Sequence, residues 1–234
     1  ATMDIDTTLR NYPLNCESAE QIVRQIADVE IDDKISFVIK KTEEIMEDSE
    51  YQGVRLSLDA YLDKTRIPLK IDISTGDVIT PCEISFSYQL MFENRTIPLL
   101  AYPPETVLAE KLETILSRGE ANTRLRDFYD VYILQREDFV VTPDALCHAL
   151  LATCRKRGHE DLLHTYASIL DRVRQSDTMR TQWMKYQSDF DYAAGITWDT
   201  VLDTVETLCM KTLDDHAFGD ELPQEESQFE MHLL

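Results

Sequence analysis

The first hundred residues alternate between apolar and polar positions in short runs typical of β-strands. These runs are "MDIDTTL" (3–9), "ISFVIKKTEEI" (35–45), "GVRLSLDAYL" (53–62), "IPLKIDIS" (67–74) and "CEISFSY" (82–88). They are rich in β-branched or aromatic residues and are separated by Gly, Asp or Pro, which favours strands. After the first run, apolar residues at 19, 22, 23 and 26 follow a helical period and predict a helix over 18–29. The short spacings predict a mixed sheet with one early crossover helix.

From Pro103 onward the pattern changes to a helical period. "PPETVLAEKLETILSR" begins with Pro at a helix start. Further helices are predicted near 123–135, 143–157, 160–174, 177–188 and 199–213. The sequence therefore predicts an α+β fold with two domains: a mixed-sheet head over 1–102, followed by an all-helical part over 103–234.

Composition excludes several classes of protein. Hydrophobic residues make up 43% of the 234 positions and aromatic residues 9%, which is typical of a globular domain. No apolar run is long enough for a membrane span, and no leader pattern is visible, so we expect no membrane partner. The five cysteines are scattered without a CxxC pair, which predicts neither a zinc site nor a disulfide framework and fits a reducing cytoplasm.

The formal charge of −21 argues against a general nucleic-acid binder, because phosphates would be repelled overall. Basic residues nevertheless collect between positions 111 and 136, and again at 155–157. The segment from about 214 to the end carries seven acids and no Lys or Arg, which predicts a solvated or disordered tail.

Three aspartates in predicted strands are candidates for metal-dependent chemistry. Asp4 and Asp6 share one strand face, roughly 7 Å apart, and would repel each other unless a cation lay between them. Asp72 lies between two isoleucines on another strand and would supply a third carboxylate. Such a set suits two-metal phosphoryl or nucleotidyl transfer. A solvated strand face explains the same pattern without a metal.

The first two helices after Pro103 carry the remaining candidates. Lys111 is aligned with an apolar stripe, so it is either a lysine that extends to solvent at the margin of the stripe or a phosphate ligand. In "RLRDFYDVYIL", Arg126 and Asp130 are spaced i,i+4, and Asp127 lies on the side of Asp130. Helix salt bridges explain these charges equally well.

The segments "TMDID", "LKIDISTGD", "YPPETVLAEKLETILSRG" and "NTRLRDFYDVYIL" together resemble, in order and spacing, the AbiEii/AbiGii family. These are nucleotidyltransferase-like toxins of bacterial abortive-infection and toxin–antitoxin systems. The resemblance covers roughly residues 1–136. It implies a DNA-polymerase-β-like nucleotidyltransferase head, a helical C-terminal part, a nearby-encoded antitoxin and a role in phage defence.

The resemblance also implies roles for individual residues. Asp4 and Asp6 match the DxD pair that binds Mg²⁺, and Asp72 matches the later strand carboxylate. Lys111 matches the lysine associated with the phosphates of the NTP substrate. The arginine–aspartate motif assigns a catalytic role to Asp127 or to Asp130, and Arg126 would contact phosphate or acceptor.

One departure from the family pattern is visible. Family members carry a Gly-Ser turn upstream of the DxD pair, whose backbone amides cradle phosphate. Only Ala1, Thr2 and Met3 precede Asp4 here. We therefore expect the chain to be part of a longer protein, and we expect this fragment to bind nucleotide poorly or to be inactive.

Three hypotheses of function follow. The first is metal-dependent transfer of a nucleotidyl group from an NTP to an acceptor, with tRNA or another RNA as a candidate acceptor because of the local basic cluster. The second is a non-catalytic protein that binds nucleotide or a partner through a decayed or truncated transferase fold. The third, an antibiotic nucleotidyltransferase, ranks lower because "AEKL" and "RDFYD" point to the toxin family.

Overall fold

The computed structural model describes residues 4–10, 12–31, 33–46, 52–136 and 141–214, and the side chain of Asp4 lies outside that description. Beyond Asp214, the predicted acidic tail also lies outside the described residues. The strands are β1 (Asp4–Leu9), β2 (Ile35–Met46), β3 (Gln52–Leu62), β4 (Thr65–Thr75), β5 (Ile84–Gln89) and β6 (Thr96–Ala101). The helices are α1 (Cys16–Ala27), α2 (Pro104–Arg118), α3 (Leu125–Leu134), α4 (Pro143–Lys156), α5 (Leu162–Gln175), α6 (Asp177–Asp189) and α7 (Trp198–Leu213).

The described chain forms two compact units, residues 1–78 and 79–234. The predicted α+β fold is confirmed, since a mixed sheet precedes the helices. The predicted boundary after residue 102 marks where helices begin, whereas the compact units divide earlier because the β5–β6 hairpin groups with the helices.

The first unit is a four-stranded sheet in the order β1-β4-β3-β2. β1 and β4 run parallel, and the other neighbours are antiparallel. Apolar and polar residues alternate along these strands, so one face is apolar and the other polar. α1 covers the apolar face; the buried residues there are Ala19, Val23, Val54, Leu56, Leu58 and Ile73. The sheet therefore leaves its polar face, which carries Asp6 and Asp72, uncovered by α1.

The start of α1 is fixed by a capping box. The Asn15 side chain accepts the Ser18 N–H at 2.8 Å, and the Ser18 hydroxyl accepts the Asn15 N–H at 2.9 Å. This reciprocal pair satisfies amides that have no partner within the helix. The helix thus begins at Cys16, slightly before the predicted position.

β5 and β6 form a separate antiparallel hairpin in the described structure. The sequence pattern identified β5 but not β6. Its sequence, "TIPLLA", is short, contains Pro98 and lacks alternation, so it carries little strand signal.

The second unit packs its helices around one apolar core. α2 begins with Pro104 in its first turn, and Gly119 follows its last residue with a φ of 49° that is accessible to glycine. Phe128 and Trp198 lie at the centre of this core, with ring centroids 5.0 Å apart. Among the described residues, no helix has the length and apolar character required to cross a bilayer.

Candidate functional site

The polar face of the first sheet brings two of the predicted aspartates side by side. In the parallel β1–β4 pair, Asp6 is the register partner of Asp72, and Asp4 is that of Lys70. Register partners point to the same face of a sheet, so Asp6 and Asp72 lie on one face of neighbouring strands. Asp6 is exposed and Asp72 is partly buried. The arrangement concentrates negative charge at this edge of the sheet.

Arg55 neutralises part of that charge. β3 pairs with β4 so that Arg55 lies opposite Asp72. Its Nε donates to Asp72 Oδ1 at 2.7 Å, and its Nη2 donates to Oδ2 at 2.6 Å. This two-point geometry fixes both the position and the orientation of the carboxylate. Sequence reasoning did not identify Arg55.

A hydroxyl cluster lies beyond the carboxylates on the same polar face. Thr8 and Ser74 are register partners, and their hydroxyl oxygens are 2.6 Å apart. Both hydroxyls donate to Asp77 Oδ2, from Ser74 at 2.6 Å. These bonds fasten the segment after β4 to the ends of β1 and β4, next to Asp6 and Asp72.

The donor set on this face is made of oxygen atoms, which suits Mg²⁺. Asp6 and Asp72 would provide two carboxylates from adjacent strands, although Arg55 already binds both oxygens of Asp72. Within the described ranges, no group of three or more His, Cys, Asp or Glu side chains is arranged to hold a metal ion. The assignment of a metal to Asp4, Asp6 and Asp72 therefore stays a prediction.

The second unit contains an ion cluster centred on Lys111. The buried side of α2 is formed by Leu108, Leu112, Ile115 and Leu116. Lys111 lies beside it and reaches α3, where its Nζ donates to Asp130 Oδ2 at 2.7 Å and to Asp127 Oδ1 at 3.2 Å. The three side chains are only 20%, 15% and 23% exposed, in the order Lys111, Asp127, Asp130. Lys111 is thus held by two carboxylates rather than ending in solvent.

Arg126 extends this cluster toward solvent. Its Nε lies 3.7 Å from Asp130 Oδ2, and its side chain is 70% exposed. Asp130 also acts on neighbouring aromatic residues. Burial, followed by the neighbouring Tyr192 and Asp130, raises the pKa of Tyr129. Burial and the hydrogen bond between the Tyr186 and Tyr192 hydroxyls raise the pKa of Tyr186, to which Asp130 also contributes.

Each unit therefore gathers part of the predicted residue set. The first unit pairs Asp6 with Asp72, and the second joins Lys111, Arg126 and both candidate aspartates of α3. The Arg126–Asp130 ion pair expected from the i,i+4 spacing is present, but Asp130 lies closer to Lys111 than to Arg126. The catalytic and binding roles of all these residues stay predictions.

Glu113 is a further charged residue that the sequence analysis missed. It is 2% exposed on α2 and binds the guanidinium of Arg157 and Nδ1 of His159, the latter at 2.6 Å. Arg155 pairs with Glu160 at 2.8 Å. Arg155 and Arg157 are therefore engaged in ion pairs, which accounts for both arginines of the basic run at 155–157 structurally.

The register of the β3–β4 hairpin could have revealed Arg55 from sequence. Only Asp63 and Lys64 separate β3 from β4, and counting outward from this two-residue turn places Arg55 opposite Asp72. The signal for Asp77 is weaker, because it follows the strand in the irregular segment after Gly76.

Comparison with known proteins gives one family match. A family model described as nucleotidyl transferase AbiEii toxin, type IV TA system, matches residues 1–204. No curated protein sequence matches the chain significantly.

Two solved structures from Helicobacter pylori are similar to the chain. One is a candidate nucleotidyltransferase with 14% identity and a TM-score of 0.39, and the match covers 92% of this chain and 81% of that protein. The other is JHP933, with 13% identity, a TM-score of 0.40 and coverage of 92% and 78%.

Proposed function

The chain belongs to the AbiEii family of nucleotidyltransferase toxins of type IV toxin–antitoxin systems, and we propose that it transfers a nucleotidyl group from an NTP to an acceptor hydroxyl. The observation that carries this proposal is the pairing of Asp6 with Asp72 on one face of two parallel strands. Two carboxylates in this position are the donors that a metal-dependent transfer needs.

In the proposed reaction, the acceptor oxygen attacks the α-phosphorus, the bond to the β-phosphate oxygen breaks, and pyrophosphate leaves. The acceptor proton passes to a carboxylate or to water. Asp4 and Asp6 would hold Mg²⁺, which would stabilise charge on the phosphates, and Asp72 would complete the carboxylate set. Arg55 would keep Asp72 in position through its two hydrogen bonds.

Lys111 would neutralise triphosphate charge. An ammonium has three N–H donors, and Asp127 and Asp130 account for two of them. The third donor can therefore bind a phosphate oxygen while both aspartates fix the direction of the side chain. Arg126, which is largely exposed beside Asp130, would contact phosphate or acceptor.

The family implies a cognate antitoxin. We further propose that the acceptor is an RNA, tRNA being one candidate, and that the reaction takes place in the bacterial cytoplasm, where NTPs are available. Abortive infection and phage defence would be the biological result.

The test is a transfer assay with each of the four α-labelled NTPs, total RNA and Mg²⁺. We expect label in RNA, and its loss with EDTA, when the assay uses the longer protein predicted above, with its Gly-Ser turn upstream of Asp4. Asp6→Asn should abolish transfer because it removes a carboxylate. Asp63→Asn is the matched control, since Asp63 is exposed in the β3–β4 turn and its φ of 51° suits asparagine.

Full activity of Asp6→Asn would show that the carboxylate assignment is wrong. A companion thermal-shift titration should show Mg²⁺-dependent stabilisation by NTP that grows with concentration. If that longer protein is folded and shows neither transfer nor shift, the second hypothesis, a non-catalytic binding protein, is favoured. The Arg55–Asp72 ion pair already suits that alternative, because it satisfies Asp72 without a metal.

A further inference from the structure

Five aromatic side chains form a continuous cluster between α3 and the end of α6. They are Tyr129, Trp183, Tyr186, Phe190 and Tyr192. Tyr192 lies against Tyr129 with ring centroids 4.7 Å apart, and Phe190 lies against Tyr186 at the same distance. The cluster is anchored in the helical core through Trp183, which is 1% exposed.

The outer end of this cluster is open to solvent. Phe190 is 42% exposed and Tyr192 is 50% exposed. Their rings are nearly parallel, with centroids 5.4 Å apart and an angle of 30° between planes. The hydroxyls of Tyr192 and Tyr186 lie 2.9 Å apart, which limits rotation of the Tyr192 ring. Single exposed aromatics are common on protein surfaces, but a fixed pair backed by a buried cluster is not.

This exposed pair adjoins the Lys111 cluster. Tyr129 precedes Asp130 in α3, and both Asp130 and Arg126 act electrostatically on Tyr186. Tyr129, which contacts Tyr192, and its neighbour Asp130, which binds Lys111, therefore connect the exposed rings to the Lys111 cluster.

Cations flank the aromatics along α3. Arg126, Tyr129 and Tyr132 are spaced by three residues along α3, and Arg136 follows in the turn after the end of the helix at Leu134. The Arg136 guanidinium carbon lies 5.2 Å from the centroid of the Tyr132 ring, and its Nη1 donates to the Tyr132 hydroxyl at 2.6 Å. Within α3, Arg126 and Tyr132 are about 9 Å apart along the axis at about 1.5 Å per residue, and Arg136 lies beyond the end of the helix.

Aromatic rings that stack on bases, together with arginines that bind phosphates, are typical of proteins that bind single-stranded nucleic acid. We propose that Phe190 and Tyr192, together with Arg126 and Arg136 at the two ends of α3, bind a single-stranded segment of the nucleic-acid acceptor. The inference rests on the proposed transfer reaction, to which it adds the binding site of the acceptor. Stacking must contribute much of the affinity, because the overall charge of −21 opposes phosphate binding.

The test measures binding of a fluorescein-labelled single-stranded RNA hexamer by anisotropy, with the full chain and without NTP or Mg²⁺. We expect Tyr192→Ala to weaken binding about tenfold, and Tyr192→Phe, which keeps the ring, to stay within about threefold. Tyr88→Ala is the matched control, since Tyr88 is 44% exposed on the β5–β6 hairpin. Circular dichroism establishes that each variant is folded.

The salt dependence gives a second, independent readout. Two phosphate contacts predict a slope of log K against log[salt] of about −1.4 for a single strand, and Arg136→Gln should reduce it by about half. A blunt RNA duplex of the same sequence should bind more weakly, because its bases are already stacked.

Equal binding by wild type and Tyr192→Ala, or an equal loss with Tyr88→Ala, would overturn the proposal. The proposal would also be overturned if Tyr192→Ala abolished self-association of the chain but left RNA binding unchanged. The exposed rings would then be a contact between protein chains. Because binding is measured without NTP, the outcome is separate from transfer. If nucleotide is transferred but Tyr192→Ala binds RNA as well as the wild type does, only this inference is wrong. If RNA binds specifically but no nucleotide is transferred, only the proposed reaction is wrong.

Discussion

Removal of Lys111 should destabilise the helical unit measurably, because two aspartates would lose their shared cation. Lys111→Met preserves most of the side-chain volume but leaves Asp127 and Asp130 close together in a partly buried environment. Arg126 offsets only part of that charge, at 3.7 Å from Asp130 and largely in solvent.

The burial of the three groups sets the expected magnitude. Exposed ion pairs contribute about 0–1 kcal/mol, whereas removing one member of a buried pair costs about 3–5 kcal/mol. The side chains here are between 15% and 23% exposed, so they lie between these limits. We expect a loss of about 2 kcal/mol in the free energy of unfolding. A lysine that merely lined a cleft would cost within about 0.5 kcal/mol.

Urea unfolding followed by tryptophan fluorescence measures this loss. The chain has two tryptophans, Trp183 and Trp198, and both lie in the core of the second unit, so the signal reports that unit alone. With an m-value of about 1–3 kcal/mol/M, the midpoint should fall by about 1 M. Arg155→Met is the matched control, because its pair with Glu160 is of similar length but about half exposed.

A triple variant, Lys111→Met with Asp127→Asn and Asp130→Asn, should recover much of the lost stability, because amides do not repel each other. A midpoint shift for Lys111→Met no larger than that of the Arg155 control would contradict this prediction. A triple variant as unstable as the single one would also contradict it, since the loss would then come from packing rather than charge.

Two further predictions concern the core of the helical unit. Phe128→Ala should cost about 3–5 kcal/mol in the same urea assay, because Phe128 is fully buried against Trp198, and a loss below 1 kcal/mol would contradict that packing. Burial raises the pKa of the Cys154 and Cys209 thiols to about 12, so both remain protonated at pH 8, and mass spectrometry after brief iodoacetamide treatment should find them unmodified while the exposed Cys82 reacts. Equal labelling of all three would show that the core opens freely.

Periodicity and helix-start signals were sufficient to predict most secondary structure. Pro104 and Pro143 occupy first-turn positions, where a missing N–H costs nothing, and both helices begin where the sequence indicated. β6 was missed because its stability depends on pairing with β5, and a six-residue strand that contains Pro98 has little local preference of its own. The pairing with β5, which the local sequence of β6 does not encode, is what forms this strand.

The candidate site was predictable in residue type but not in pairing. Alternation alone assigned Asp6 and Asp72 to polar strand faces, and the resemblance suggested that they belong together. That Arg55 holds Asp72 follows from strand register, which alternation does not specify. Helical spacing likewise placed Asp127 and Asp130 on one side of α3, but the contact of both with Lys111 depends on how α2 and α3 pack.

The sequence could not choose between the two aspartates of α3, and their contacts in the structure favour different roles. Asp130 has the shorter bond to Lys111, 2.7 Å against 3.2 Å, and it also lies near Arg126 and the tyrosine cluster. A carboxylate with this many neighbours is fixed, which suits a residue that positions Lys111. Asp127 lies in the first turn of α3, where the helix dipole stabilises its charge, and within the described part of the chain its carboxylate binds Lys111. Since rearranging Asp127 disturbs fewer contacts, we propose Asp127 as the aspartate that meets the substrate and Asp130 as the one that positions the lysine.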